Sequence, residues 1–174
     1  GNVGRVFPAG NRGGFNILYA VTSGSSANAE SYDNRVLVLD ESTFAIRAAS
    51  VSAPGPILNL TFYKATISPY RAYIYLVVDA DNDGNGESIM ALVDTGNSTI
   101  AADTAFDQDT IDDGLQYYGT PMKNLATIKV GTEAAGSTAS SSDTRYGRKL
   151  FFIAGQKLYK VNADPTDATD EGAS

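Results

Sequence analysis

The sequence predicts an all-β fold, and three observations carry that expectation. Helical periodicity is hard to find, whereas short runs of alternating or continuous apolar residues recur between turn signals along the chain. Gly, Ala, Ser, Thr and Asn are abundant and charged residues make up only 19%, a composition of short strands joined by small-residue turns. The central runs are apolar on both faces: Ile74, Leu76 and Val78 on one side, Tyr73, Tyr75 and Val77 on the other, then Ile89, Ala91 and Val93 opposite Met90 and Leu92. Such strands need cover on both sides. With 174 residues, 43% of them apolar, the chain can bury one real core, so residues 1–174 read as one domain or a tight repeat array.

Ten or eleven strands follow in order, at residues 3–7, 15–21, 35–40, 44–51, 57–63, 71–79, 87–94, 98–101, 124–130, 149–154 and 156–162. Residues 103–115 are the one stretch that suits a short helix, and their Asp and Gly content weakens it. The strands repeat in pairs. A Tyr- or Phe-bearing run occurs as Leu18-Tyr-Ala-Val21, Ile74-Tyr-Leu-Val77 and Leu150-Phe-Phe-Ile153. Each is followed by a second run, Val36-Leu-Val-Leu-Asp40, Met90-Ala-Leu-Val-Asp94 and Leu158-Tyr-Lys-Val-Asn162, then by a turn and Thr43, Thr99 or Thr166.

Tyr146-Gly-Arg-Lys-Leu-Phe-Phe-Ile-Ala154 and Arg35-Val-Leu-Val-Leu-Asp-Glu-Ser-Thr43 resemble the blade repeats of β-propellers of the YVTN or quinoprotein type. The resemblance implies about three propeller-like four-stranded blades, at residues 1–52, 53–105 and 120–174, with an acidic insertion at 103–122. The repeats are spaced more widely than usual blades, and three blades cannot close a ring. A single β-sandwich or jelly roll is the competing architecture. Blades would gather the loop at 22–34, the acidic loop at 79–87 and the insertion, with Asp107, Asp109, Asp112, Asp113, Tyr117 and Tyr118, on one binding face.

The segment whose spacing points to a particular ligand is Asp79-Ala-Asp-Asn-Asp-Gly-Asn-Gly-Glu87. A calcium ion takes six to eight hard oxygens, and alternate carboxylates on a tightly turning backbone converge on one point. Asp79, Asp81 and Asp83 would supply side-chain oxygens, Gly84 the turn, Asn85 a backbone carbonyl, and Glu87 a direct or water-mediated ligand. Position twelve, where an EF-hand needs a bidentate Glu, is Met90, so this is not an EF-hand. With strands on both flanks, the loop resembles the Asp-x-Asp-x-Asp-Gly hairpin loops of integrin and pilus-tip adhesin propellers, which implies a structural Ca2+. The competing reading is a solvated Asp-Gly/Asn-Gly turn that binds nothing.

What is missing narrows the function. No His and no Cys means no Ser-His-Asp triad, no imidazole base, no thiol nucleophile and no His- or Cys-ligated metal. Gly10-Asn-Arg-Gly-Gly14 fits neither phosphate-loop spacing and reads as a flexible turn. No Trp is present to build a sugar platform, and Ser141-Ser-Asp-Thr-Arg145 departs from the sialidase-type Asp-box. A net charge of −7 disfavours nucleic acid, and the longest apolar run is too short to insert in a membrane.

No starting Met or signal-like segment is present, so the chain reads as a processed mature form or an excised fragment. Asn59-Leu-Thr61 and Asn97-Ser-Thr99 match the glycosylation acceptor pattern, which also arises by chance. The expectation is a non-catalytic, calcium-stabilised β module, extracellular or on the cell surface, used for adhesion or assembly. Its partner would be another protein, or a second copy engaged through open strand edges. Alternatives are a structural filament or surface-layer subunit that donates residues 1–7 to its neighbour, and a fragment of a larger propeller enzyme.

Overall fold

The computed structural model describes residues 2–24, 33–65, 70–103, 125–132, 148–154 and 157–163, and among them every regular element is a strand. They are β1 (Asn2–Arg12), β2 (Phe15–Ser23), β3 (Val36–Asp40), β4 (Ile46–Ser50), β5 (Ile57–Ala65), β6 (Arg71–Val78), β7 (Ser88–Asp94), β8 (Thr99–Ala102), β9 (Leu125–Thr132), β10 (Arg148–Ala154) and β11 (Lys157–Asn162). All eleven fall on segments that the sequence marks as strands. Most boundaries differ by one or two residues and the end of β1 by five, and two of these differences have a clear backbone cause. β1 continues to Arg12 because Gly13 and Gly14, with φ of +61° and +103°, make a tight hairpin where the sequence suggests a loose turn. β4 starts at Ile46 because Phe44, at φ +57°, belongs to the preceding turn.

β1 to β4 form one antiparallel meander and β5 to β8 a second. The short strands β4 and β8 pair in parallel through Ala49↔Thr99 and Ser50↔Ile100. This joins the meanders into one eight-stranded sheet of order β1-β2-β3-β4-β8-β7-β6-β5, curled into a half-barrel. β9 to β11 make a separate three-stranded antiparallel sheet. Three stand-alone blades are not seen, because the β4–β8 pair fuses the first two meanders edge to edge. The possible helix at 103–115, Tyr117, Tyr118 and the remaining acidic insertion lie outside the described residues, apart from Asp103.

Two cores explain why β6 is apolar on both faces. Inside the curl, Ile17, Tyr19 and Val21 of β2 and Val36 and Val38 of β3 pack on Ile74, Leu76 and Val78 of β6, Leu92 of β7 and Ile100 of β8. Outside it, Tyr73, Tyr75, Val77, Ile89 and Ala91 pack on Leu150, Phe152, Ala154 and Tyr159 of the smaller sheet. Side chains such as Ile74, Leu76 and Leu92, all at most 1% exposed, each contribute on the order of 1.5–3 kcal/mol. Polar bonds set the smaller sheet in place: Tyr75 Oη donates to the Ala163 carbonyl at 2.8 Å, and the Val130 amide to Thr61 Oγ1 at 3.2 Å.

The curl brings the two outermost strands of the large sheet together. Tyr19 on β2 meets Phe62 on β5 edge-to-face at 5.2 Å, and Lys64 Nζ on β5 donates to the Asn11 carbonyl on β1. The free edge of β1 carries register shifts between Val3 and Arg5 and between Pro8 and Gly10. Bulges and an edge proline blunt further strand pairing. Among the described residues no helix is long and apolar enough to cross a membrane.

Candidate metal centre

The acidic loop joins β6 to β7, and the strand register fixes its ends. Val78 pairs with Ser88, and the Glu87 amide donates to the Val78 carbonyl at 3.1 Å. Between them the chain turns through two left-handed residues, Asn82 at φ +62° and Gly84 at φ +94°. Asn and Gly are the residue types that enter this region most readily. The turn folds the alternate carboxylates inward. One oxygen from each of Asp79, Asp81, Asp83 and Glu87 lies within 4.8 Å of every other, so these four form an acidic group able to hold a metal ion.

The four contribute differently. Asp79 is buried, and its two oxygens accept the Asp83 amide at 3.0 Å and the Gly84 amide at 2.9 Å. Asp81 and Asp83 are exposed; Asp81 Oδ1 accepts the Asp83 amide at 3.2 Å, and Asp83 Oδ1 accepts the Asn85 amide at 2.8 Å. Asn85 also donates its side-chain amide to Asp83 Oδ1 at 3.0 Å, so it braces the turn. Glu87 Oε2 accepts the Ala80 amide at 2.8 Å, whereas Glu87 Oε1 is buried without a hydrogen-bond partner. Leaving a buried carboxylate oxygen unpaired costs more than the 1–3 kcal/mol of a neutral group, roughly, and a cation beside it would remove that cost. Met90 instead packs toward the core inside the curl, opposite Leu76.

The loop is also tied to the rest of its end of the sheet. The Asp79 amide donates to the Pro56 carbonyl at 2.9 Å, and Gly55 lies so close that a Cβ there would sit 1.9 Å from the Asp79 carbonyl oxygen. The same connection reaches the β2–β3 loop: Ala53 N donates to the Asn34 carbonyl at 2.8 Å, and Ser52 Oγ to the Asp33 carbonyl at 3.0 Å. Thus residues 33–34 and the acidic loop share one end. Residues 25–32 and 104–122 of the expected binding face lie outside the described residues.

A second polar group, at the opposite end of the sheet, is one that the sequence reading passes over. Asp94, fully buried at the end of β7, accepts Arg12 Nη2 at 2.7 Å, Arg12 Nε at 2.9 Å and Tyr19 Oη at 2.9 Å, and the Gly96 amide at 3.0 Å. Arg12 Nη2 also donates to the Asn97 carbonyl at 2.6 Å, and Tyr19 Oη lies 2.9 Å from Tyr70 Oη. Burial, reinforced by the Asp94 charge, pushes the Tyr19 hydroxyl far above its ordinary value, and burial raises Tyr70 as well. Arg12 loses hydration by burial, yet its bond to Asp94 and that charge outweigh the loss and raise it. The Tyr19 and Tyr70 hydroxyls and the Arg12 guanidinium therefore keep their protons near neutral pH. The group's signal in the sequence is the aspartate closing the second run of the first two pairs, Asp40 and Asp94.

No protein-family model, no curated protein and no solved structure matches this chain.

Proposed function

We propose that the chain is a non-catalytic, calcium-stabilised β module that works outside the cell in adhesion or assembly. The observation that carries the reading is the convergence of Asp79, Asp81, Asp83 and Glu87 with the unpartnered buried oxygen Glu87 Oε1 among them. The donors are all oxygen, which suits hard cations. Calcium is favoured over magnesium because it accepts irregular carboxylate geometry, whereas magnesium demands a near-ideal octahedron and keeps several waters. Without a twelfth-position carboxylate the affinity is weak, in the roughly 10⁻⁴–10⁻³ M range of extracellular modules.

The role of the ion is to lock a hairpin that already touches the Gly55–Pro56 connection, and so to stiffen the loop end of the sheet. Partners on this reading are proteins, and the three-fold recurrence of paired strands is read as blade-like units in a larger assembly. Scanning calorimetry in chelator and then in ~10 mM calcium, about ten times the weakest dissociation constant in that range, tests the ion. A melting temperature that rises on calcium return supports the reading, and one unmoved by either treatment in a folded sample sinks it.

A further inference from the structure

Phe44 stands at φ +57°, where every other described residue with positive φ is Gly or Asn. Bulky side chains rarely enter this left-handed region, because Cβ crowds the backbone there. The β3–β4 turn holds it in place. Asp40 Oδ1 accepts the Ser42 amide at 3.0 Å, Ser42 Oγ at 2.6 Å and the Thr43 amide at 3.1 Å, while the Phe44 amide donates to the Asp40 carbonyl at 2.8 Å. The strained residue gains no burial in exchange, since Phe44 is 66% exposed. Neither packing nor turn geometry within the chain calls for an aromatic side chain at this position. Backbone strain held in place by its surroundings clusters at ligand clamps, switch regions and other functional positions.

The surroundings say what kind of contact. Phe15 is 50% and Ile46 48% exposed at the same end of the sheet. Beside them opens a surface cavity of about 370 Å³, lined by Gly14, Phe15, Asn16, Asp40, Glu41 and Ser42. Phe44 belongs to the same β3–β4 turn as Asp40, Glu41 and Ser42 of the lining, so an exposed aromatic and a cavity with Phe15 in its wall share this end of the sheet. The face also carries both charges: Glu41 is exposed, and Arg47, 42% exposed, lies 4.7 Å over the Phe15 ring and bonds Asp40 Oδ2 at 2.7 Å. A surface that carries an exposed aromatic, a cavity and both charges can match a second copy of itself across a two-fold axis. The net charge of −7 opposes unspecific contact between copies, so pairing requires this local match of acid to base.

We propose that this face docks onto a second copy of the chain, Phe44 of each copy entering the cavity beside Phe15 of the other, with Glu41 of each facing Arg47 of the other. The proposal rests on the assembly reading above and not on the ion, since Asp40 and the acidic loop occupy opposite ends of the sheet.

Sedimentation velocity of the full chain over a concentration series, in calcium and in chelator, reads the association. The wild type forms a dimer in both. Phe44→Asn raises the dissociation constant about tenfold or more, and Glu41→Arg weakens pairing by setting like charges opposite each other. In dilute solution, where monomer prevails, Phe44→Asn raises the melting midpoint by about 2–4 °C, because Asn relieves the left-handed strain. A wild type that stays monomeric throughout overturns the docking face and leaves adhesion to a different protein as the surviving part of the reading above. Association that survives Phe44→Asn overturns the face alone, and so does a lowered melt in that variant, which would make Phe44 a packing residue.

Discussion

Arg12 and Asp94 are 82 residues apart in the chain and form a buried ion pair with Nη2 and Oδ1 2.7 Å apart, joining the end of β1 to the end of β7. These strands belong to different meanders of the curled sheet. The pair therefore acts as a clasp across the curl, with Tyr19 and the Gly96 amide taking up the remaining acceptor capacity of the carboxylate. Arg12→Met leaves Asp94 buried and uncompensated, and the expected loss is about 3–5 kcal/mol. Replacing both partners, as Arg12→Met with Asp94→Leu, removes the stranded charge and should cost less than the single change. Urea titrations of the three variants check this; an Arg12→Met loss below about 1 kcal/mol would show that the clasp carries little.

Asp40 and Tyr19 make stability depend on pH in opposite directions, with Tyr70 adding to the alkaline side. Ser42 Oγ and then Arg47 hold the Asp40 carboxyl well below the usual carboxylate range. Its folded value lies below its unfolded one, so its contribution is complete above about pH 4 and fades as pH falls toward the folded value. The stability gap between wild type and Asp40→Asn should therefore shrink from pH 7 to pH 3. Tyr19 is raised by burial and by Asp94, so its contribution is complete below about pH 10 and fades above it. Tyr19→Phe should flatten that alkaline loss. Urea midpoints across pH read both effects, and a gap that stays constant in either window contradicts the corresponding assignment.

The strands were legible because their signals are local. Alternation and turn residues place all eleven, and the two-faced apolar pattern of Tyr73 to Val78 announces the double cover that the half-barrel core and the smaller sheet provide. Alternate aspartates announce the convergence at the β6–β7 loop for the same reason, because five residues of turning backbone bring them together whatever the rest of the chain does. Strand order was not legible. The parallel β4–β8 contact rests on only Ala49↔Thr99 and Ser50↔Ile100, which no periodicity marks. The clasp was hidden likewise: Arg12 sits beside two glycines in what reads as a flexible turn, and only the curl carries it to Asp94.

Gly55 shows how closely the acidic loop is fitted to its neighbour. A Cβ at this position would lie 1.9 Å from the Asp79 carbonyl oxygen and 2.8 Å from its carbon, and backbone cannot yield as a flexible side chain would. Gly55→Ala should cost about 1–3 kcal/mol by overpacking and lower calcium affinity by shifting the first carboxylate of the loop. Gly4→Ala is the control: its Cβ meets only the Val21 carbonyl oxygen, at 3.9 Å, and should change stability by less than about 0.5 kcal/mol. Thermal melts of the two variants decide the point, and equal losses would remove the close approach as the cause.

The two aspartates at the start of the loop should separate folding from ion binding. Asp79 is buried and accepts two backbone amides, so Asp79→Ala takes the Gly84 amide's partner away, leaves the Asp83 amide only its longer bond to Asp81, and should destabilise by about 1–3 kcal/mol even in chelator. Asp81 is exposed, and its one bond shares the Asp83 amide with Asp79, so Asp81→Ala should leave the calcium-free melt within about 0.5 kcal/mol of wild type. In calcium the ranking changes. Wild type gains RT ln(1 + [Ca2+]/Kd), about 2.7 kcal/mol at a hundredfold excess over Kd, and Asp81→Ala loses most of that gain because it removes a ligand from an already formed turn. Calorimetry of both variants with and without calcium measures the two losses separately. If Asp81→Ala keeps the full calcium increment, Asp81 is not a ligand and the ion acts without it.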